Sequence, residues 1–325
     1  MVSLPSARRE FTGFAEYFAT DIAPYLEDRE IERRQAVTNF AILLGATGVL
    51  CAALILFGPF GPANNQVGVL LGFAGGSGAL WLLNRTRSDI THGLLDLVAR
   101  KLGFSYRGTL ERPSYYEKFR QLKLLPSHNR EEWEDEVTGA HDGADFVICE
   151  SHLKMKKSNG KTTSTRTVFH GQLFVIDYPK RFLGTTVILR DKGMMNRFGR
   201  PGPEFSNVGL ASAEFEKAFE AWSTDQVEAR DLLDPIVLER FQALEKLFGG
   251  KNLRAAFADG KVYIAIETGD RLNMGTMFAP LGGGGRVETI LKEFDMIFDL
   301  IDVLLARVDG RIDGAFSVDH VKRSA

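Results

Sequence analysis

The chain has 325 residues, of which 44% are hydrophobic and 25% charged, and its formal net charge is -2. That apolar content is ample for a buried core and excludes a wholly disordered protein. The nearly neutral charge argues against a nucleic-acid-binding protein, and the two cysteines, Cys51 and Cys149, form neither a disulfide framework nor a zinc-binding spacing.

The N-terminal segment 1–35 mixes charged and aromatic residues and lacks the apolar core and cleavage site of a secretory signal. Its apolar residues, including Phe14, Phe18 and Ile22, recur at helical spacing, which predicts an amphipathic helix. Pro24 is expected to bend or split that helix.

The next segment, 36–84, is expected to form a transmembrane hairpin. No Asp, Glu, Lys or Arg occurs between Gln35 and Asn84, and the sequence GPFGPANNQ interrupts this stretch with residues that break helices. The two spans, about 36–57 and 67–83, each approach the roughly 20 residues that cross a bilayer.

Basic residues flank the hairpin on its outer ends only. By the positive-inside rule, both chain termini are expected in the cytoplasm. The flanking cations are Arg29, Arg33, Arg34, Arg85, Arg87, Arg100 and Lys101.

Three glycines of the second span, Gly68, Gly72 and Gly76, recur every four residues. Such a small-residue face allows close helix packing, and Gly45 and Ala52 of the first span are candidates for the matching surface. The alternative is that glycine is simply common in membrane helices. Because neither span contains a charged residue, the hairpin is interpreted as an anchor rather than a pore.

The remaining chain is divided into a helical connector at 85–134, an α+β domain at 135–308 and a polar tail at 309–325. Residues 135–191 carry β-branched and aromatic runs bounded by turn residues, which predicts an antiparallel meander. Helices are predicted from 212, over about 235–248 and over about 287–308, with a hairpin turn at Asp259-Gly260 between two further strands. The predicted fold is α+β: an antiparallel sheet covered by helices.

One hairpin tip, at 158–161, is strongly basic. Its cations are candidates for contacts with anionic lipid headgroups, and the alternative is a solvated loop whose charges prevent edge pairing. The candidate residues are Lys154, Lys156, Lys157, Lys161 and Arg166.

Glu150, His152 and His170 are the metal-ligand candidates, because alternation places Glu150 and His152 on one sheet face and a neighbouring strand can bring His170 beside them. The alternative is that these are ordinary polar residues of a sheet, and no metal or other cofactor is expected. Cys149 is interpreted as a buried small apolar side chain, and the four glycines at 282–285 as a connector.

Three segments resemble the bacterial domain-of-unknown-function family DUF3137: GQLFVIDYPKRFLGTTVILRD, FEKAFEAWSTDQVEARDLLDPIVLERFQAL and AAFADGKVYIAIET. The likeness covers roughly 139–305 and implies an architecture and a bacterial inner-membrane location, but no catalytic residues. It directs attention to Asp225, Glu228 and Arg230. These residues either form a structural ion-pair and capping cluster or bind a polar ligand or partner.

The leading functional hypothesis is a membrane-anchored binding or scaffold module whose α+β domain recognises a protein partner or a lipid headgroup. The alternatives are a membrane-bound metal-dependent hydrolase and an oligomeric channel or transporter subunit. The expected partners are the lipid bilayer, an unidentified protein and a second copy of the chain, and no nucleic acid.

Overall fold

The structure is a computed structural model that describes residues 2–160, 162–178, 181–190, 201–210, 213–269 and 275–308. The described residues form two compact units. The helical unit comprises those within 1–102 and 272–290, and the sheet unit comprises those within 103–271 and 291–325.

In the helical unit, the first helical segment is interrupted just before Pro24. Helix α1, Phe14–Tyr17, passes into a π-helical turn, Phe18–Ile22, before helix α2, Ala23–Phe57, begins. A proline has no N–H to donate to the preceding turn, and a widened turn accommodates that loss. From this turn α2 continues without a break into the apolar stretch, and α3, Asn64–Lys101, returns.

The turn between α2 and α3 is closed by one amide side chain. Asn64 Oδ1 accepts the Phe60 N–H at 3.0 Å, and Asn64 Nδ2 donates to the Gly58 carbonyl at 3.0 Å. The side chain thus satisfies backbone groups that a helix end leaves open.

The helices that end at Phe57 and Lys101 are both long and apolar enough to cross a membrane. Many large apolar side chains of these helices and of the turn between them are exposed, a surface of the kind that soluble proteins keep small. These exposed residues are Ile42, Leu44, Val49, Leu50, Ile55, Leu56, Phe57, Phe60, Val69, Leu70, Phe73, Leu80, Trp81 and Leu82.

The sheet unit contains an open antiparallel sheet of nine strands within the described residues, in the order β1-β2-β3-β4-β9-β8-β5-β7-β6. The predicted α+β class is therefore confirmed. The strands are β1 Ser105–Thr109, β2 Arg130–His141, β3 Ala144–Ser158, β4 Thr163–Asp177, β5 Thr186–Arg190, β6 Ser206–Val208, β7 Phe219–Ser223, β8 Lys251–Ala258 and β9 Lys261–Glu267. The later helices are α4 Tyr116–Gln121, α5 Ala213–Ala218, α6 Gln226–Leu232, α7 Pro235–Leu247 and α8 Gly285–Val308.

Two tight hairpins fix the register of this sheet. Asp142 and Gly143 have φ values of 47° and 85°, and Asp259 and Gly260 have φ values of 53° and 71°. Positive φ at both central residues is the type I′ geometry, whose twist matches that of the flanking strands. The Asp142-Gly143 turn lies near the start of the predicted meander and separates β2 from β3.

Both sheet faces are covered by apolar residues. On one face Phe104 contacts Phe146, Phe294 and Phe298 edge-on or tilted, at centroid distances of 5.0, 5.7 and 5.8 Å. On the other face a separate cluster includes Phe119 of α4. Alternation along each strand assigns successive side chains to these two layers.

Two segments differ from the sequence-based expectation. Residues 85–134, expected as a helical connector, contain strand β1 and the start of β2. The segment after 212 was expected to be helical through Phe219 and Trp222, but helix α5 ends at Ala218 and β7 pairs with β5 and β6. Phe219, Ala221 and Ser223 alternate as buried residues, so strand pairing overrides the local helical pattern. Ser212 and the tail at 309–325 lie outside the described residues.

Candidate functional site

The distal half of the β3–β4 hairpin carries the basic residues singled out above. No acidic residue occurs between Leu153 and Phe169. Lys154 Nζ donates to both carboxylate oxygens of Glu132, at 2.8 and 2.9 Å. The exposed cations Lys156, Lys157 and Arg166 form no ion pair with any residue that the structure describes, and Lys161 lies outside the described residues.

The register spreads these cations over both faces of the hairpin. Met155 lies opposite Arg166, and Lys156 lies opposite Thr165. At the base of the tip, Asn129 accepts the Lys156 N–H and donates to the Lys156 carbonyl, each at 2.8 Å. The tip is therefore a basic projection with cations on both faces, and the Asn129 side chain holds its backbone at Lys156.

Glu150, His152 and His170 come together on one sheet face. His170 faces His152 across the β3–β4 pair, and the two rings stack at 4.3 Å between centroids. The buried carboxylate of Glu150 accepts from Gln172 Nε2 at 2.8 Å and lies 3.1 Å from His170 Nε2. The three candidates therefore belong to one polar ladder across two strands.

The ring nitrogens of His152 have neighbours other than Glu150 and His170. Nε2 lies 2.9 Å from the Thr167 hydroxyl, and Nδ1 lies 3.6 Å from a Glu132 carboxylate oxygen. Burial lowers the pKa of His152, and the nearby His170 and Lys154 lower it further. The hydrogen bonds of each imidazole are thus directed to different partners, an arrangement typical of a structural polar network.

A different histidine belongs to a tighter group. The possible ligand atoms of His141, Asp142 and Asp302 all lie within 4.8 Å of one another. Among the described residues, no other group of three His, Cys, Asp or Glu side chains comes this close together. His141 is buried, its Nε2 lies 2.6 Å from Asp302 Oδ1, and its ring stacks on Phe298 at 4.6 Å. One imidazole and two carboxylates are ligands that suit a divalent cation.

The His141 group could not be recognised from the order of residues along the chain. His141 and Asp142 end a strand at a hairpin turn, whereas Asp302 lies 161 positions from His141 in helix α8. Only the tertiary fold brings them together.

Cys149 is fully buried in the sheet. Burial raises the pKa of its thiol to about 12. Because the thiolate is the nucleophilic form of cysteine, this side chain is inert at neutral pH.

Asp225, Glu228 and Arg230 occupy three different environments. Asp225 is the N-cap of α6 and accepts the backbone N–H groups of Val227 and Glu228 at 3.0 and 2.9 Å. The Glu228 carboxylate accepts the N–H groups of Leu183 and Gly184, both at 2.8 Å. Arg230 is exposed, and the structure gives it no ion pair with either acid among the described residues. The two carboxylates thus bind backbone and fix the loop before β5.

The glycine face of α3 packs against α2. A Cβ on Gly68 would lie 2.9 Å from Ile55 Cγ1, and one on Gly72 would lie 3.6 Å from Cys51 Sγ. A Cβ on Gly76 meets nothing within 4 Å. The close approach continues instead at Gly75.

A Cβ on Gly75 would lie 2.3 Å from Thr47 Oγ1. The contacting residues of α2 are therefore Thr47, Cys51 and Ile55, rather than Gly45, which has open space at its own Cβ position. The change of spacing from four to three residues follows from the 3.6-residue helical repeat, because a strict repeat of four drifts off one face.

Comparisons with known proteins give one family and one solved structure. The crystal structure of the mycobacterial trehalose monomycolate transport factor A, TtfA, aligns with 66% of this chain and 96% of that chain, at 9% identity and a TM-score of 0.36. None of the curated proteins matches. The family model of DUF3137, described as a protein of unknown function, matches residues 167–305. The likeness to the DUF3137 family expected from the sequence is thus found over residues 167–305, from within strand β4 into helix α8.

Proposed function

We propose that this protein is a membrane-anchored, non-catalytic binding module. The α2–α3 hairpin holds it in a bacterial inner membrane with both termini in the cytoplasm, and the β3–β4 tip of its sheet unit binds an acidic surface. The anchor is supported by two long apolar helices whose flanking arginines lie at the outer ends of the hairpin.

One observation carries the binding role. Lys156, Lys157 and Arg166 project from the hairpin tip as exposed cations with no acidic partner among the described residues. Lys154, nearer the base of the same hairpin, is by contrast paired with Glu132. The unneutralised cations favour an external anion.

The ligand surface is either a layer of anionic headgroups or an acidic patch of a protein. Near an anionic leaflet each cation contributes about 1 kcal/mol of binding free energy. Salt screens this attraction, and at physiological ionic strength it is largely lost beyond about 8 Å. Three cations therefore supply roughly 3 kcal/mol, which suits a reversible contact.

The catalytic alternative has less support. The hydrogen bonds of His152 and His170 are directed to separate partners, and Cys149 is buried with a raised pKa. The channel alternative also has less support, because Gly68, Gly72 and Gly75 face α2 of the same chain and are not available to line a pore.

A photo-crosslinking amino acid at Lys157 in the full-length protein, expressed in its own membranes, tests the proposal. Asp145 provides the matched control, because it is exposed near the opposite end of the same strand. Crosslinks to lipid or to an acidic protein at Lys157 but not at Asp145 are expected. They should decrease in a Lys156→Glu, Arg166→Glu variant.

Equal crosslinking at both positions, or none at either, would refute the binding role of the tip. A product that is lipid identifies headgroups as the ligand, and a discrete protein band identifies a partner.

A further inference from the structure

The end of the helical hairpin opposite its turn concentrates arginines from three chain segments. Arg33 and Arg34 lie on α2, Arg87 lies on α3, and Arg286 lies in the first turn of α8. All four belong to the helical unit. Arg33 lies just before the charge-free stretch of α2, and Arg87 lies just after that of α3.

Two contacts between α2 and α3 show that Arg33 and Arg87 lie at a similar height along the axis of the hairpin. Toward the outer end, the Tyr25 hydroxyl donates to the Ile90 carbonyl at 3.0 Å. Toward the turn, Thr47 meets Gly75. The two arginines lie between these levels, at the boundary of the apolar spans.

Glu30 is the acid within this cluster, and its hydrogen-bonding capacity is used. Arg33 binds both carboxylate oxygens at 2.7 and 2.8 Å, and Arg34 Nε donates to one of them at 2.9 Å. The Leu281 N–H donates to the other at 3.0 Å. These bonds, those of Arg33 first, hold the pKa of Glu30 well below its usual range.

Arg286 and Arg87 are left without a carboxylate among the described residues. Arg286 Nη2 donates only to backbone carbonyls, those of Thr276, Ala279 and Pro280, at 3.2 to 3.3 Å. Burial lowers the pKa of Arg286, the positive charges of Arg33 and Arg87 lower it further, and Glu30 offsets part of this. Crowded like charges of this kind are stabilised by a bound anion.

A loop with an exposed aromatic residue adjoins the same cluster. Arg33 Nη1 donates to the Met277 carbonyl at 2.6 Å, and the neighbouring Phe278 is 61% exposed. The Phe278 ring meets Phe40, inside the apolar stretch of α2, edge-on at 6.0 Å between centroids. Phe278 therefore extends the apolar surface of the hairpin outward, directly beside the arginines.

We propose that Arg87 and Arg286, backed by Arg33, bind the phosphate of an anionic phospholipid, whose acyl chains lie along Phe40 and Phe278. Arginine forks match phosphate oxygens in a bidentate way, and basic pockets at the cytoplasmic end of membrane helices suit acidic headgroups. The apolar flank selects a lipid over free phosphate. This inference rests on the membrane anchor of the proposed function and is independent of the β3–β4 tip.

Native mass spectrometry of the full-length protein, released from vesicles of equal phosphatidylglycerol and phosphatidylcholine, tests the site. The wild type should retain phosphatidylglycerol in preference to phosphatidylcholine. In the double variant Arg87→Gln, Arg286→Gln this preference should fall, by about fivefold for each arginine replaced. The control, Arg100→Gln with Lys101→Gln, removes the same charge near the end of α3 and should keep the preference.

Because Arg286 also holds its loop, the single variant Arg87→Gln provides a test free of that contact and should lose about fivefold. An unchanged preference in Arg87→Gln, or full displacement of the lipid by excess inorganic phosphate, would overturn the proposal. Carbonate extraction distinguishes failure of the membrane anchor from failure of the phospholipid site. Release of the wild type from membranes refutes the anchor. A chain that stays in the membrane but shows no lipid preference refutes this site alone.

Discussion

Replacing Gly75 by alanine places a methyl group against Thr47 of the facing helix. The added Cβ would lie 2.3 Å from Oγ1, 2.5 Å from Cγ2 and 3.0 Å from Cβ of Thr47. Thr47 has few helical rotamers with which to move aside, so the helices must separate. Overpacking of this kind costs about 1–3 kcal/mol, and three contacts at or below 3.0 Å place Gly75→Ala in the upper half of that range.

Gly76→Ala is the matched control, because its new Cβ meets nothing within 4 Å. Alanine should be neutral there or stabilise the helix by up to about 1 kcal/mol. Unfolding of the full-length protein in mixed micelles, titrated with a denaturing detergent and followed by circular dichroism, measures the difference. Removing Oγ1 and Cγ2 with Thr47→Ala should rescue Gly75→Ala. If the two glycine variants unfold within about 0.5 kcal/mol of each other, the packing argument fails.

Three further predictions concern the sheet unit, each measured by unfolding of the full-length protein. Asp225→Ala should lower the free energy of unfolding by about 1 kcal/mol, because α6 loses its N-cap, and Asp225→Ser should restore most of it. Glu150→Ala should cost about 1–3 kcal/mol, since the buried amide of Gln172 loses its acceptor, and a cost below about 0.5 kcal/mol would contradict that bond. The folded-state pKa of His152 lies below 6.5, so the unfolded state binds more protons and stability falls as pH drops from 6.5 through that pKa. His152→Asn should lose less stability over this window, and parallel pH profiles would contradict the shift.

The long apolar helices and the fold class could be predicted because their signals are local. A stretch without any charge, broken once by glycines and prolines, predicts two apolar helices wherever it occurs. The exact ends were less predictable. Helix α2 begins at Ala23 and α3 ends at Lys101, so each extends well beyond its apolar span.

Strand β7 could not be predicted from its own residues. The segment from Ala213 to Ser223 has apolar residues at helical spacing, and the helix does begin there. Its second half becomes a strand because β5 and β6 provide hydrogen-bonding partners on both sides. That information lies in distant segments of the chain, and a local pattern does not contain it.

The site residues also divide into those that local sequence places correctly and those that depend on distant parts of the chain. Alternation correctly placed Glu150 and His152 on one face, since that depends on two positions of one strand. The pairing of His141 with Asp302 depends on where α8 packs in the sheet unit. The shift from Gly76 to Gly75 depends on the side chains of α2, which the spacing within α3 does not reveal.

If the protein is anchored in a membrane as proposed, the short outer strands of its sheet gain a further consequence. An open sheet exposes unpaired backbone at both edges, and tethering many copies to one surface raises the frequency of their collisions. Here β1 has five residues and an arginine paired with Glu136, and β6 has three residues. Neither edge offers a neighbour a long ladder, so crowded copies can collide without fusing into a continuous sheet.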